Sequence, residues 1–181
     1  MGDRDEGFSG SSRLIHWATA FLILLVMIPV GLTMVRLPDG VAKNTLYELH
    51  KSFGMTIFVL SVIRVAIRAV EGFPPLPASL PAWQKVAARA SHLMLYGLIF
   101  VVPALGFIGT SMCCSPVNLF WLVPIPLEFA GGMEGAKIVL ALHKVAVALM
   151  AAILCVHVAA ALWHGFVRRD GVLERMLFGR R

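Results

Sequence analysis

From Val145 to Val167 the chain carries no Asp, Glu, Lys or Arg, a run of 23 residues. As a helix, that run is long enough to cross the hydrocarbon core of a bilayer. A polar side chain placed in it must find a partner, because the surrounding lipid offers none. His143 stands just before the run and His157 within it. At about 100° and about 1.5 Å per residue, fourteen residues put His157 about 21 Å along the helix from His143, on nearly the same face. Two imidazoles therefore share one face of one spanning helix, one near each side of the membrane.

The rest of the chain has the same character. Leu14–Val35 is uncharged between Arg13 and Arg36, and predicts a first span over 14–35 in which Pro29 produces a kink. Residues 46–70 form a second span, interrupted by Lys51, Arg64 and Arg68. The third covers 82–111, with Pro103 inside it, and the fourth 138–167. Pro74, Pro75, Pro77 and Pro81 make the link between the second and third spans extended. Met112–Leu127, with Pro116, Pro124 and Pro126 beside Phe120 and Trp121, is expected to lie as a loop at headgroup depth. The expected fold is all-α, an integral membrane four-helix bundle forming one domain over residues 1–181. Only 14% of residues are charged and mean hydropathy is +0.82, against about a quarter charged in a soluble domain. The apolar run that begins at Leu14 is too long for a signal-peptide core, and is read as a retained span.

Four spans place both termini on one side. Eleven of the 16 Lys and Arg residues fall on that side, which predicts cytoplasmic termini. The net charge of +6 is therefore a topology signal, and nucleic acid is not an expected partner. Cys113, Cys114 and Cys155 do not make a disulfide framework, and Cys113 and Cys114 have no neighbouring His or Cys with which to hold a metal. With no C-x-x-C-H, covalent haem attachment lacks its chemistry.

With this topology each histidine acquires a height. His50 and His143 lie toward the outer side. His16, His92, His157 and His164 lie toward the inner side. A single intramembrane His can be satisfied by a backbone carbonyl, but two layers about 20 Å apart, each with histidines from different helices, match what two stacked b-type haems require. Gly54, one turn after His50, leaves space for a flat ring. Arg64, fourteen residues after His50, reaches the inner layer and suits a haem propionate. Arg68 reads as a snorkelling anchor and His164 as interfacial. No general base, nucleophile or other catalytic side chain is evident.

The pieces R-L-I-H-W (Arg13–Trp17), L-H-K-S-F-G (Leu49–Gly54), S-H-L-M-L-Y…P-A-L-G (Ser91–Gly106), S-P-V-N-L-F (Ser115–Phe120), L-H-K (Leu142–Lys144) and Val156–Leu177 occur in order over residues 13–177. In these the chain resembles the bacterial cytochrome b561 family of small dihaem membrane proteins. The resemblance implies two non-covalent haems b, with His16 and His157 as inner ligands and His50 and His143 as outer ones. It further implies a bacterial inner-membrane location and exchange with ubiquinone on one side and a one-electron donor on the other. Superoxide is the donor in close look-alikes; a periplasmic redox protein, served by a relaying subunit, is the alternative. Where the family often has a second His after His164, this chain has Gly165. Lys51, Lys137, Lys144 and Arg36 could form a positive rim that attracts an anionic donor. A transition-metal transporter using intramembrane His is the contrasting reading; it calls for carboxylates along a path, which spans 1, 3 and 4 lack.

Overall fold

The computed structural model describes residues 7–114 and 116–177. Arg4, Arg180 and Arg181, which enter the charge count, and Ser115 of the S-P-V-N-L-F piece lie outside them. Four long apolar helices make up most of the chain: α1 (Gly10–Met34), α2 (Val41–Glu71), α3 (Ala82–Cys113) and α4 (Gly132–Arg168). α2 and α4 extend past both ends of the expected spans 46–70 and 138–167, so charged residues such as Lys43 and Glu71 occupy helix ends where they reach water. A short α5 (Glu174–Leu177) follows.

Pro29 cannot donate a backbone hydrogen bond. The chain absorbs this with one widened π-helical turn over Leu22–Met27, and Ile28 N–H reaches Ile23 O. A second widened turn, Trp163–Arg168, closes α4, and Arg169 then turns left-handed at φ 51°.

α1 packs on α2, α2 on α3, and α3 most extensively on α4. Small residues bring the last pair together. A Cβ on Gly109 would meet Leu140 Cγ at 2.8 Å, and Ala136 is almost wholly buried. By contrast α4 has no extensive packing against α1 or α2. The centre of the bundle is filled by Ile23, Ile57 and Ile99, with Met27, Tyr96, Phe100, Met150 and Leu154 against them. Outward-facing apolar residues such as Leu25, Val62, Leu142 and Phe166 are exposed. In water that surface would be a liability; here it is the face presented to lipid.

The ends of the bundle are tied differently. Where the termini lie, Ser9 caps α1 by accepting from Ser12 N–H at 3.2 Å. The hydroxyls of Ser9, Ser11 and Ser12 all donate to Glu71 at the end of α2. Arg68 does not snorkel. It is 7% exposed, donates to Ser12 Oγ at 2.7 Å and to Gly72 O at 2.8 Å, and lies against Phe8 and Phe73. It thus cross-links α1 to α2. At the opposite end, part of the expected loop is a hairpin, β1 (Val117–Leu119) antiparallel to β2 (Val123–Ile125), in the register Val117↔Ile125. Its turn holds Phe120 and Trp121 at φ 48° and 60°. Phe120 N–H donates to Ser52 Oγ at 2.8 Å, which fastens the hairpin to α2. Cys113 and Cys114 are disulfide-bonded to each other. The sequence reading had not paired these cysteines; because the bond joins adjacent residues it ties no two elements together.

Candidate functional site

A seven-residue rhythm builds the site. On α2, His50, Ile57 and Arg64 recur at that spacing. On α4, His143, Met150 and His157 do the same, and on α1 Ile23 follows His16. Seven residues are nearly two turns, so each set lies along one face. The middle members form the apolar core, and the outer members end up in two layers about 10 Å to either side of it. One layer lies at the end where the termini meet, the other at the hairpin end.

At the hairpin end, the rings of His50 and His143 are 6.2 Å apart, centre to centre. At the terminal end, those of His16 and His157 are 6.4 Å apart. These imidazoles reach across the side of the bundle where α4 stands away from α1 and α2. A metal–nitrogen bond of about 2 Å on each side, plus about 1.1 Å from nitrogen to ring centre, separates two axial imidazoles by about 6.2 Å. Both pairs have the spacing of a bis-imidazole metal site. His92, from α3, is 5.4 Å from His157, too close to share a metal with it in this way. His164 takes no part. Its Nδ1 is 2.7 Å from Asp170 Oδ2, and Arg168 Nε is 3.3 Å from the same oxygen. The ring is paired, and Asp170 is a partner the sequence reading overlooked.

The polar bookkeeping of the four rings is incomplete within the protein. Nδ1 of His16 and Nδ1 of His50 are buried without a hydrogen-bond partner among the described residues. A buried ring nitrogen in that condition is costly, and no described residue offsets that cost. His143 differs: its Nδ1 lies 2.8 Å from Val102 O on α3. Gly106, one turn after Val102, leaves the ring room. Neither residue was singled out from the sequence, although their four-residue spacing beside Pro103 was there to be read.

Arg64 completes the terminal-end layer. It lies within electrostatic reach of His16, His92 and His157. Its Nε donates to Tyr96 Oη at 3.2 Å, and its guanidinium sits 5.1 Å from that ring's centre. Among the described residues it has no carboxylate partner, which leaves an intramembrane cation able to take an anionic one. Tyr96, one turn after His92 on the same face of α3, was likewise unforeseen. Gly54 faces α1, where an added Cβ would meet only Met27 Cε at 3.9 Å, and so it leaves open space beside His50.

The expected cationic rim is weaker than its lysines suggest. Lys51 is paired with Glu48, and Lys137 with Glu134 at 2.6 Å. Among the described residues Lys144 and Arg36 have no carboxylate partner. No group of three or more His, Cys, Asp or Glu side chains suited to a metal ion occurs among the described residues.

An apolar four-helix bundle that spaces imidazoles in facing pairs, with a cation beside one pair, has the features that a haem-bearing membrane protein of electron transfer requires. Comparison with known proteins agrees. The family model described as prokaryotic cytochrome b561 matches residues 7–179, and the chain belongs to that family. It is 34% identical to "Cytochrome b561 homolog 2" of Escherichia coli (strain K12), over 95% of this chain and 92% of that protein. It is 31% identical to "Cytochrome b562" of Cereibacter sphaeroides, over 96% and 97% of the two chains. It is 23% identical to "Probable superoxide oxidase CybB" of Yersinia pestis, over 90% and 91%. The protein is therefore a multi-pass protein of the bacterial inner membrane that binds b-type haem and transfers electrons.

Proposed function

We propose that the chain holds two non-covalent haems b and carries electrons between superoxide at the hairpin end and ubiquinone in the membrane. The observation that carries this reading is the pair of facing imidazoles in each layer, at 6.2 and 6.4 Å. His50 and His143 would ligate one iron, His16 and His157 the other. When bound, haem supplies one-electron exchange at its iron, which no side chain of the chain provides. Arg64, held by Tyr96, binds a propionate of the haem at the terminal end. Gly54 admits the macrocycle beside His50. Ile23, Ile57, Ile99 and Met150 keep water out of the space between the two layers. The preponderance of Lys and Arg at the terminal end supports cytoplasmic termini, with the hairpin and the His50–His143 pair on the outer side.

Superoxide as donor is supported by the relative named as a probable superoxide oxidase. The test is a reduced-minus-oxidised spectrum of the purified chain, with haem quantified by acid–acetone extraction, followed by superoxide-driven reduction of ubiquinone. Two fully extractable haems per chain and quinone reduction are expected. One haem per chain would refute the ligand scheme. Two haems without quinone reduction would leave a cytochrome whose donor is another redox protein.

A further inference from the structure

Helix α3 supplies none of the four paired imidazoles, yet it packs most extensively against α4, which supplies two of them. At the level of His143 it presents the Val102 carbonyl, 2.8 Å from Nδ1. A carbonyl oxygen can only accept, so Nδ1 carries the proton and the Nε2 lone pair is left for another partner. The approach depends on a missing side chain. A Cβ at Gly106 would stand 3.1 Å from Cε1 and 3.2 Å from Nδ1 of His143. Such contacts are tighter than a resting packing contact, so the ring would have to withdraw by a few tenths of an ångström and the hydrogen bond would lengthen. His143 thereby differs from its opposite number, because Nδ1 of His50 is buried with no partner among the described residues.

We infer that Gly106 is a positioning residue for the haem at the hairpin end: by omitting a side chain it lets the Val102 carbonyl hold and polarise the His143 imidazole. This rests on the haem reading above. The carbonyl draws on the Nδ1 proton and leaves more electron density on the ring, which makes the imidazole a stronger donor to iron. A stronger donor favours the ferric over the ferrous state, so the hydrogen bond holds the potential of this haem down.

The test is a potentiometric titration of the full-length, haem-loaded protein beside its Gly106→Ala and Gly97→Ala variants. Gly97 lies on the same helix, and an added Cβ there meets nothing within 4 Å, so it controls for the substitution itself. Gly106→Ala is expected to retain two haems and to shift the ferrous-to-ferric balance of the hairpin-end haem about tenfold toward ferrous. For one electron that is a rise of about 59 mV. The other haem should not move, and Gly97→Ala should titrate as the unmutated protein does. If the two variants titrate alike, the inference is overturned. If Gly106→Ala loses the haem, pulsed electron paramagnetic resonance on the unmutated protein decides. The remote ring nitrogens of the two ligands at the hairpin end should then show unequal couplings, and equal couplings overturn the inference. A hairpin-end layer that binds no haem in the unmutated chain overturns the haem reading itself, before any variant is made.

Discussion

Single side chains in this protein are separated by what surrounds them more than by what they are. Six histidines occur in the chain, and their ring environments sort them. The rings of His50–His143 and His16–His157 stand at the spacing of an opposed pair of ligands; His92 stands closer to His157 than such a pair allows; His164 is taken up by Asp170. The expected phenotypes follow. His50→Ala or His143→Ala should each remove one haem and leave the other, and His16→Ala or His157→Ala should remove the converse haem. His92→Ala and His164→Ala should leave two haems per chain. Pyridine haemochrome assays on the six variants check this; loss of a haem from His92→Ala but not from His157→Ala would reassign the terminal-end layer. That these residues fall into two layers could be read from the span boundaries and helical spacing, because rise per residue is nearly constant. The choice among His16, His92, His157 and His164 could not, because it depends on how far apart helices stand, and spacing along one helix is silent on that.

At the level of elements, apolar runs announce helices but not how their ends are tied. The residues 112–127 carry prolines and aromatics and so read as an irregular interfacial loop; that part of it forms a hairpin comes from a tertiary bond, Phe120 N–H to Ser52 Oγ on a different element. Phe120 and Trp121 occupy left-handed backbone conformations, which cost roughly 1–3 kcal/mol each for such residues and persist only where the surroundings hold them. Ser52, fully buried, is one such restraint, and the Phe53–Phe120 ring contact at 5.2 Å is another. Ser52→Ala removes the acceptor and leaves a donor with no partner, at a cost of about 1–3 kcal/mol. Amide hydrogen exchange over residues 117–125 should then quicken by roughly tenfold or more, while α1 stays as protected as before. Unchanged exchange would show that the hairpin is held by something other than α2. The same limit explains Arg68. Its place near the end of an apolar span suggests an anchor reaching for water, and only Ser12 of α1, far away in sequence, makes it a buried cross-link.

For the molecule as a whole, the distribution of charge bears on how a donor arrives. Of the net charge of +6, the hairpin end holds little: Arg36, Lys43, Lys51, Lys137 and Lys144 face Asp39, Glu48, Glu128 and Glu134, five cations against four carboxylates. Three of those cations are paired with a carboxylate close by in sequence. A superoxide anion approaching that end meets a nearly neutral rim, with Lys144 and Arg36 as the cations that lack such a partner among the described residues. Exposed charges act mainly on encounter rate, and salt screens them over about 10 Å at 0.1 M. The rate of superoxide-driven haem reduction should therefore fall only slightly as salt is raised. Lys144→Gln should slow it at low salt, and Glu134→Gln, which releases Lys137 from its partner, should speed it. Both differences should vanish at high salt, with haem spectra unchanged throughout. Stopped-flow rates at two ionic strengths check the set. If Lys144→Gln and Glu134→Gln shift the rate in the same direction, the hairpin end is not where superoxide is met, and the donor has to be sought among redox proteins that dock on a surface rather than anions that follow a field.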